Sequence, residues 1–242
     1  MDAVAPLLVR DIHKSYGKRK VLENVDFSLN SGEIFGLIGL NGAGKTTLIK
    51  IMLDLIVCET GGIEIAGIPA KNISARKNLS YLPEKFQPSR YLKGMEYLEL
   101  ALSYYGKSLD KELARKKAVE LDLDPDVLDV RVGSYSKGMG QKLGLVGAFL
   151  VDSSFLILDE PMSGLDPSAR IKLKNELLAN KRAGKTIFFS SHILSDIDEI
   201  CDRIGVIHNG NLCFIGTPKA FKEKMSEASL EQAFLRVIEA KK

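Results

Sequence analysis

At 242 residues, 45% hydrophobic and 27% charged, the chain is long enough for one large α/β domain with ample core. Lys and Arg total 34 against 31 Asp and Glu, and this net charge of +3, spread along the chain, gives no ground for expecting a nucleic-acid partner. Met1-Asp2-Ala3 is an acidic start unlike a signal peptide, the apolar run 143–151 falls far short of the ~20 residues that span a bilayer, and three scattered cysteines (Cys58, Cys201, Cys213) read as buried thiols in a reducing compartment.

Residues 7–29 read as two or three strands, with Leu7-Leu8-Val9 in one and Val21, Glu23, Val25, Phe27 and Leu29 alternating in another. Lys18-Arg19-Lys20 forms a polar turn between them. Tyr16, just before Gly17, is either a packing residue at a strand end or a platform on which a purine stacks.

The apolar run 34–38 has the character of a buried parallel strand, and residues 46–56 place Leu48, Ile49, Met52, Leu55 and Ile56 on one helical face. Between them stands Gly39-Leu40-Asn41-Gly42-Ala43-Gly44-Lys45-Thr46-Thr47, which fits G-x-x-x-x-G-K-[ST]. Glycines there let backbone N–H groups converge on a phosphate chain, and the helix start adds partial positive charge. Lys45 is expected to reach the β- and γ-phosphates and the Thr46 hydroxyl to ligate Mg²⁺, so the ligand is a nucleoside triphosphate.

Further strands are expected at 63–65 and 78–82, the latter stopped by Pro83. From Glu84 the pattern turns helical, over 95–105 and 111–121, as an insertion between strands of the core. Ser134-Tyr135-Ser136-Lys137-Gly138-Met139 then opens a helix containing Leu143, Val146 and Leu150. Ser136 suits its N-cap, and a Ser and Gly at a helix start also make an anion site. Two phosphate-binding helix starts in one chain suit two chains facing each other.

The core resumes with strand 155–159, ending in Asp159 and Glu160. Asp159 stands where open α/β sheets place ligand contacts and is expected to hold Mg²⁺, with Glu160 polarising the attacking water. Asp166-Pro167 opens a helix to about residue 182, and strand 186–189 runs into Ser190-Ser191-His192. His192, in line with Lys45 and Asp159, is expected to contact the γ-phosphate. A helix over 193–202, strands near 204–207 and 212–215 and a helix capped by Thr217-Pro218 follow. The tail 229–242 carries a capping box (Ser229, Gln232) and an apolar face of Leu230, Ala233, Phe234, Val237 and Ile238, so it docks onto something.

Together these motifs resemble the ATP-binding subunits of ABC transporters over nearly the whole chain. Tyr16 matches the adenine-stacking A-loop aromatic, 39–46 the Walker A, 155–159 the Walker B and Glu160 the catalytic glutamate. Ser163-Gly164-Leu165-Asp166 matches the D-loop and His192 the switch histidine. Ser136, Lys137, Gly138 and Met139 sit where the family has its Leu-Ser-Gly-Gly-Gln signature, and Leu82-Pro83-Glu84 stands at the Q-loop. Tyr-Ser-Lys-Gly-Met and Leu-Pro-Glu resemble the ATPases of ABC-2-type exporters.

The resemblance implies a P-loop NTPase fold of class α/β: a RecA-like core with a parallel sheet and an N-terminal antiparallel β subdomain (1–83 and 152–228), a helical signature subdomain (84–151) and a C-terminal helix (229–242). It implies ATP and Mg²⁺ as ligands, the metal held by Thr46, Asp159 and Glu84. It also implies a head-to-tail dimer, in which Ser136 and Gly138 of one chain cover ATP bound at Lys45 of the other. The chain would then be peripheral, on the cytoplasmic face of the membrane, through a separate multi-span permease, with no nucleic acid expected.

Three rivals are weaker. A GTPase needs Asn-Lys-x-Asp, and Asn180-Lys181-Arg182-Ala183 lacks the aspartate. A small-molecule kinase would leave the Ser136 motif idle. A soluble ABC ATPase of DNA repair or translation usually joins two cassettes or carries a long coiled coil.

Overall fold

The computed structural model describes residues 4–239, so the expectations for residues 1–3 and 240–242 lie outside the described residues. A hairpin opens the fold, with β1 (Leu7–Tyr16) pairing β2 (Arg19–Ser28). β4 (Thr60–Ile65) and β5 (Ile68–Pro69) extend it to an antiparallel sheet ordered β2-β1-β4-β5. β2 does not keep the simple alternation expected of it. Asn24 adopts φ 49°, and the register slips between the Ile12–Val25 and Lys14–Leu22 pairs. That bulge flips the side-chain parity, so Leu22, Val25 and Phe27 are buried while Val21 and Glu23 are half-buried.

The second sheet has the order β10-β9-β3-β8-β7-β6. Its strands are β3 (Ile34–Ile38), β6 (Leu79–Leu82), β7 (Phe155–Asp159), β8 (Thr186–Ser191), β9 (Arg203–His208) and β10 (Asn211–Gly216). All neighbours run parallel except β9 and β10. Every residue of β3, β7 and β8 is buried, which is why their sequences read as unbroken runs rather than alternations.

The helices are α1 (Lys45–Met52), α2 (Gly94–Ser103), α3 (Lys111–Glu120), α4 (Lys137–Leu150), α5 (Pro167–Arg182), α6 (Leu194–Ile200), α7 (Pro218–Met225) and α8 (Leu230–Glu239). Ser136, Asp166 and Thr217 cap α4, α5 and α7 through side-chain oxygens, as their spacing suggested. α1 is shorter than expected. Asp54 turns the chain at φ 57°, and Leu55 is 62% exposed instead of continuing the buried face.

One apolar cluster lies on each face of the second sheet. The first stacks Phe27 on Phe35 (ring centroids 5.4 Å) and Phe35 on Phe188 (5.9 Å), joining the antiparallel sheet and α1 to the parallel one. The second runs from Leu158 and Phe189 through α2 to α6 and on to α8. The tail helix therefore docks on its own chain: Leu230, Ala233, Phe234 and Val237 are buried against α6, α7 and β9. Cys58, Cys201 and Cys213 are each half-buried, not fully enclosed as expected, and burial pushes the Cys201 thiol well above its ordinary pKa. No helix among the described residues is long and apolar enough to cross a membrane.

A candidate nucleotide site at the edge of the sheet

β3, β8 and β7 are adjacent and parallel, so their C-terminal ends share one edge of the sheet, where such folds bind ligands. The register sets Asp159 of β7 opposite Ser190 of β8, and Ile38 of β3 opposite Ser191. The loop leaving β3 is pressed against β2 and Ile207. Gly44, at φ 110°, would place a Cβ 2.8 Å from the Val21 carbonyl, and Gly39 one 2.6 Å from the Ile207 carbonyl. Only glycine fits those two points.

Lys45 is buried, with its ammonium donating to the Gly39 carbonyl at 2.8 Å. The same nitrogen lies 3.1 Å from Glu160 Oε1, close enough to pair charges but without hydrogen-bond alignment. The other Glu160 oxygen meets His192 Nδ1 at 2.7 Å and accepts from the His192 N–H at 3.3 Å. Glu160 holds φ 51°, a conformation that costs a residue with a Cβ and tends to persist at functional sites. In the chain alone, then, the ring partner of His192 is Glu160, and Glu160 stands between the histidine and Lys45.

Asp159 is fully buried. Ser190 Oγ donates to its Oδ1 at 2.5 Å and accepts the Glu160 N–H at 3.0 Å, while Oδ2 has no hydrogen-bond partner. Burial pushes this carboxyl above the ordinary aspartate range; the Ser190 and Thr46 hydroxyls pull it back, and the charges of Glu84 and Glu160 push it further up. Ser190 thus bridges both acids, a role the sequence reading missed. Its only signal was a hydroxyl at a strand end, and the pairing of β8 with β7 that gives it meaning is not local.

A cleft of about 670 Å³ opens beside Lys45 and Glu160, while Asp159, Ser190 and His192 do not line it. Leu40, Asn41, Gly42, Gly44, Lys45, Thr46, Thr47 and Glu160 line it, whereas Gly39 and Ala43 do not. Tyr16 stands at its rim, 53% exposed, with Lys14 Nζ 5.2 Å from the ring centroid on one face. Arg19, the cross-strand partner of Tyr16, also lines the cleft, although the sequence suggested only a turn there. Glu84 is exposed and lines the same cleft, and its charge is felt at Asp159.

The signature residues face elsewhere. Ser136 and Lys137 line a second cleft with Glu84 to Tyr91 and residues 131–135. Ser136 Oγ accepts from the Met139 N–H at 3.2 Å. Gly138 is half-buried and packs beside Gly164, with room for a Cβ only 3.2 Å from the Gly164 carbonyl. Asp166 accepts from the Ala169 N–H at 3.0 Å and lies 3.3 Å from Lys142 Nζ. Neither Ser136 nor Asp166 lines the Lys45 cleft of its own chain.

An antiparallel sheet beside a mixed sheet, a glycine loop feeding Lys45, and two acids and a histidine at adjacent strand ends define a P-loop fold of the ATP-binding cassette type. A family model described as ABC transporter matches residues 22–163, and the chain belongs to that family as one of its ATP-binding cassettes. An uncharacterised ABC transporter ATP-binding protein of Nostoc sp. is 40% identical over 81% of this chain, which spans 59% of that relative's length. The Nod factor export ATP-binding protein I of Burkholderia orbicola is 34% identical over 91% of this chain and 74% of its own. A solved structure, described as the ATP-binding subunit of an ABC transporter, superposes with a TM-score of 0.87 at 33% identity, covering 96% of this chain and 99% of that one.

Proposed function

We propose that the chain binds ATP in the Lys45 cleft, hydrolyses it with Mg²⁺, and powers a membrane transporter of the exporter type. The observation that carries this reading is the convergence of Lys45, Asp159, Glu160 and His192 at the ends of three adjacent parallel strands. Adenine stacks on the Tyr16 face that Lys14 leaves open, and the phosphates enter the loop from Gly39 to Thr47. Lys45 then exchanges its Gly39 carbonyl for phosphate oxygens. That releases Glu160 from Lys45 to orient and polarise a water, with His192 holding the carboxylate in place.

The buried, unpartnered Asp159 Oδ2 beside the Thr46 hydroxyl suits a hard divalent cation. No group of three acidic, histidine or cysteine side chains suited to a metal occurs among the described residues, so Thr46 and Asp159, with Glu84 across the same cleft, would hold the ion together with the nucleotide. Mg²⁺ held there neutralises charge on the phosphates.

The separation of Ser136 from the Lys45 cleft favours a second ATP-binding subunit, a homodimer in the simplest case. Ser136, Lys137, Gly138 and Met139 of one chain then cover the nucleotide of the other, and Asp166 lies at their junction. In this reading residues 84–151 act as the signature subdomain against the core of 1–83 and 152–228. Closure drives a separate multi-span permease, so the chain sits peripherally on the cytoplasmic face. The Nod factor export relative supports the lean toward export.

The test is phosphate release from ATP by the purified chain with Mg²⁺. Wild type turns over and Lys45→Ala does not. Glu160→Gln still binds ATP but slows about 10²–10⁴-fold, the usual effect of losing a general base. Near-normal turnover in either variant overturns the site.

A further inference from the structure

Four buried side-chain polar atoms among the described residues have no hydrogen-bond partner. Two belong to Asp159 and Glu160. The other two, Arg170 Nε and Asp196 Oδ2, belong to an ion pair outside the cleft. Arg170 lies on α5, four residues after Asp166, and Asp196 lies on α6, four residues after His192. Arg170 Nη2 approaches Asp196 Oδ2 at 3.3 Å, and Asp196 is only 6% exposed. Lys174, one turn further along α5, reaches Asp196 Oδ1 at 3.6 Å.

An arginine–carboxylate pair at its best is two-pronged, with N–O distances near 2.7–2.9 Å. This pair is longer and makes no aligned bond at either Nε or Oδ2. Arg170 is 27% exposed, so the desolvation falls mainly on Asp196, and holding that buried carboxylate against an unaligned arginine forgoes much of the attraction that would offset it. A slide of α6 along α5 that closed this distance would bring Oδ2 onto the arginine fork. The two helices leave the two loops that carry Asp166 and His192, so such a slide moves one loop relative to the other.

We infer that Arg170 and Asp196 are positioning residues that tie the Asp166 loop to His192, so that engagement of Asp166 sets where His192 holds Glu160. This rests on the hydrolytic role proposed above for Glu160 and His192, and on the second subunit proposed to engage Asp166.

Two measurements on the full chain test it. The first is the imidazole NMR signal of His192, one of three histidines, in Asp196→Asn, Arg170→Met and Arg170→Lys. A Lys222→Gln control breaks an exposed pair to Asp198 on the same helix. The His192 signal moves in Asp196→Asn and Arg170→Met, less in Arg170→Lys, and stays put in the control. An unmoved signal in the first two variants overturns the inference whether or not the protein hydrolyses ATP.

The second is steady-state ATPase. Arg170→Met and Asp196→Asn lower kcat about tenfold with KM within twofold, melting temperature held or raised, and partial rescue by Arg170→Lys. On a His192→Ala background, Arg170→Met costs nothing further. Equal losses with and without His192, or losses that track melting temperature, overturn the inference. Absence of turnover in wild type overturns the hydrolytic reading instead, and the NMR arm then decides the pair by itself.

Discussion

Burying the Asp159 carboxylate opposes folding at neutral pH. Its pKa is raised in the folded chain, so the folded state holds the proton more tightly than the unfolded one, and the penalty applies above the raised pKa and fades as pH falls. Asp159→Asn should therefore raise the melting temperature of the nucleotide-free protein at pH 7 by a few degrees. That corresponds to about 1 kcal/mol for one relieved buried acceptor and roughly 2–4 °C per kcal/mol at this size. The gain should shrink as pH is lowered, while Mg²⁺-dependent turnover is lost. A lower melting temperature at pH 7 would mean the Ser190 bond outweighs burial. Glu84 poses the converse case, an exposed charge lining the cleft proposed to take the phosphates. For a separation of ~6 Å and an effective dielectric of ~20, its attraction to Mg²⁺ and its repulsion by the γ-phosphate would each be about 2–3 kcal/mol per unit of partner charge and would largely cancel. Glu84→Gln should keep basal ATPase within a few-fold across a Mg²⁺ titration; a hundredfold loss would make it an essential ligand.

The element whose role changed most between sequence and structure is α8. Its apolar face announced that it docks, and the structure supplies the surface, α6, α7 and β9 of the same chain. Phe234 is 7% exposed, so Phe234→Ala should cost about 3–5 kcal/mol, as for other buried phenylalanines, and lower the melting temperature by roughly 10 °C. Thermal unfolding of the isolated subunit checks it. An unchanged melting temperature would mean the helix contributes nothing to this chain's own stability. α5 and α3 are joined differently, through charge. Lys117 pairs with Glu176, and Lys142 and Lys172 both reach Asp122. These polar ties link the helices between β6 and β7 to the helix that follows Asp166.

At the scale of the whole molecule, the two clefts set the main expectation. Mixing Lys45→Ala with Ser136→Arg subunits should give heterodimers in which one shared site is intact and the other carries both lesions. Each homodimer has no intact site. Partial recovery of ATPase on mixing, scaling with the heterodimer fraction, is the expected result. Inactive mixtures with heterodimers proven by native mass spectrometry would reduce Ser136 to a helix cap, whose loss alone is worth about 1 kcal/mol.

The sequence by itself determined the strand–loop–helix around Lys45, the strand ending at Asp159, the strand 186–189 that the structure extends to Ser191, the caps at Ser136, Asp166 and Thr217, and the family those motifs define. Each of these is written in neighbouring residues: a glycine spacing, an apolar run of five or six, a hydroxyl or carboxylate before a helix. It did not determine that β8 lies between β3 and β7, because strand order depends on pairing across more than a hundred residues. That order alone makes Ser190 a bridge between Asp159 and Glu160 and seats His192 on Glu160 instead of leaving it free. The bulge at Asn24 and the early stop of α1 at Asp54 each turn on one left-handed residue that no periodicity marks, and the pairing of Arg170 with Asp196 on how two helices pack. Local patterns fix which residues are helical, extended or capped, but which charges and hydroxyls meet is decided only when distant segments pack.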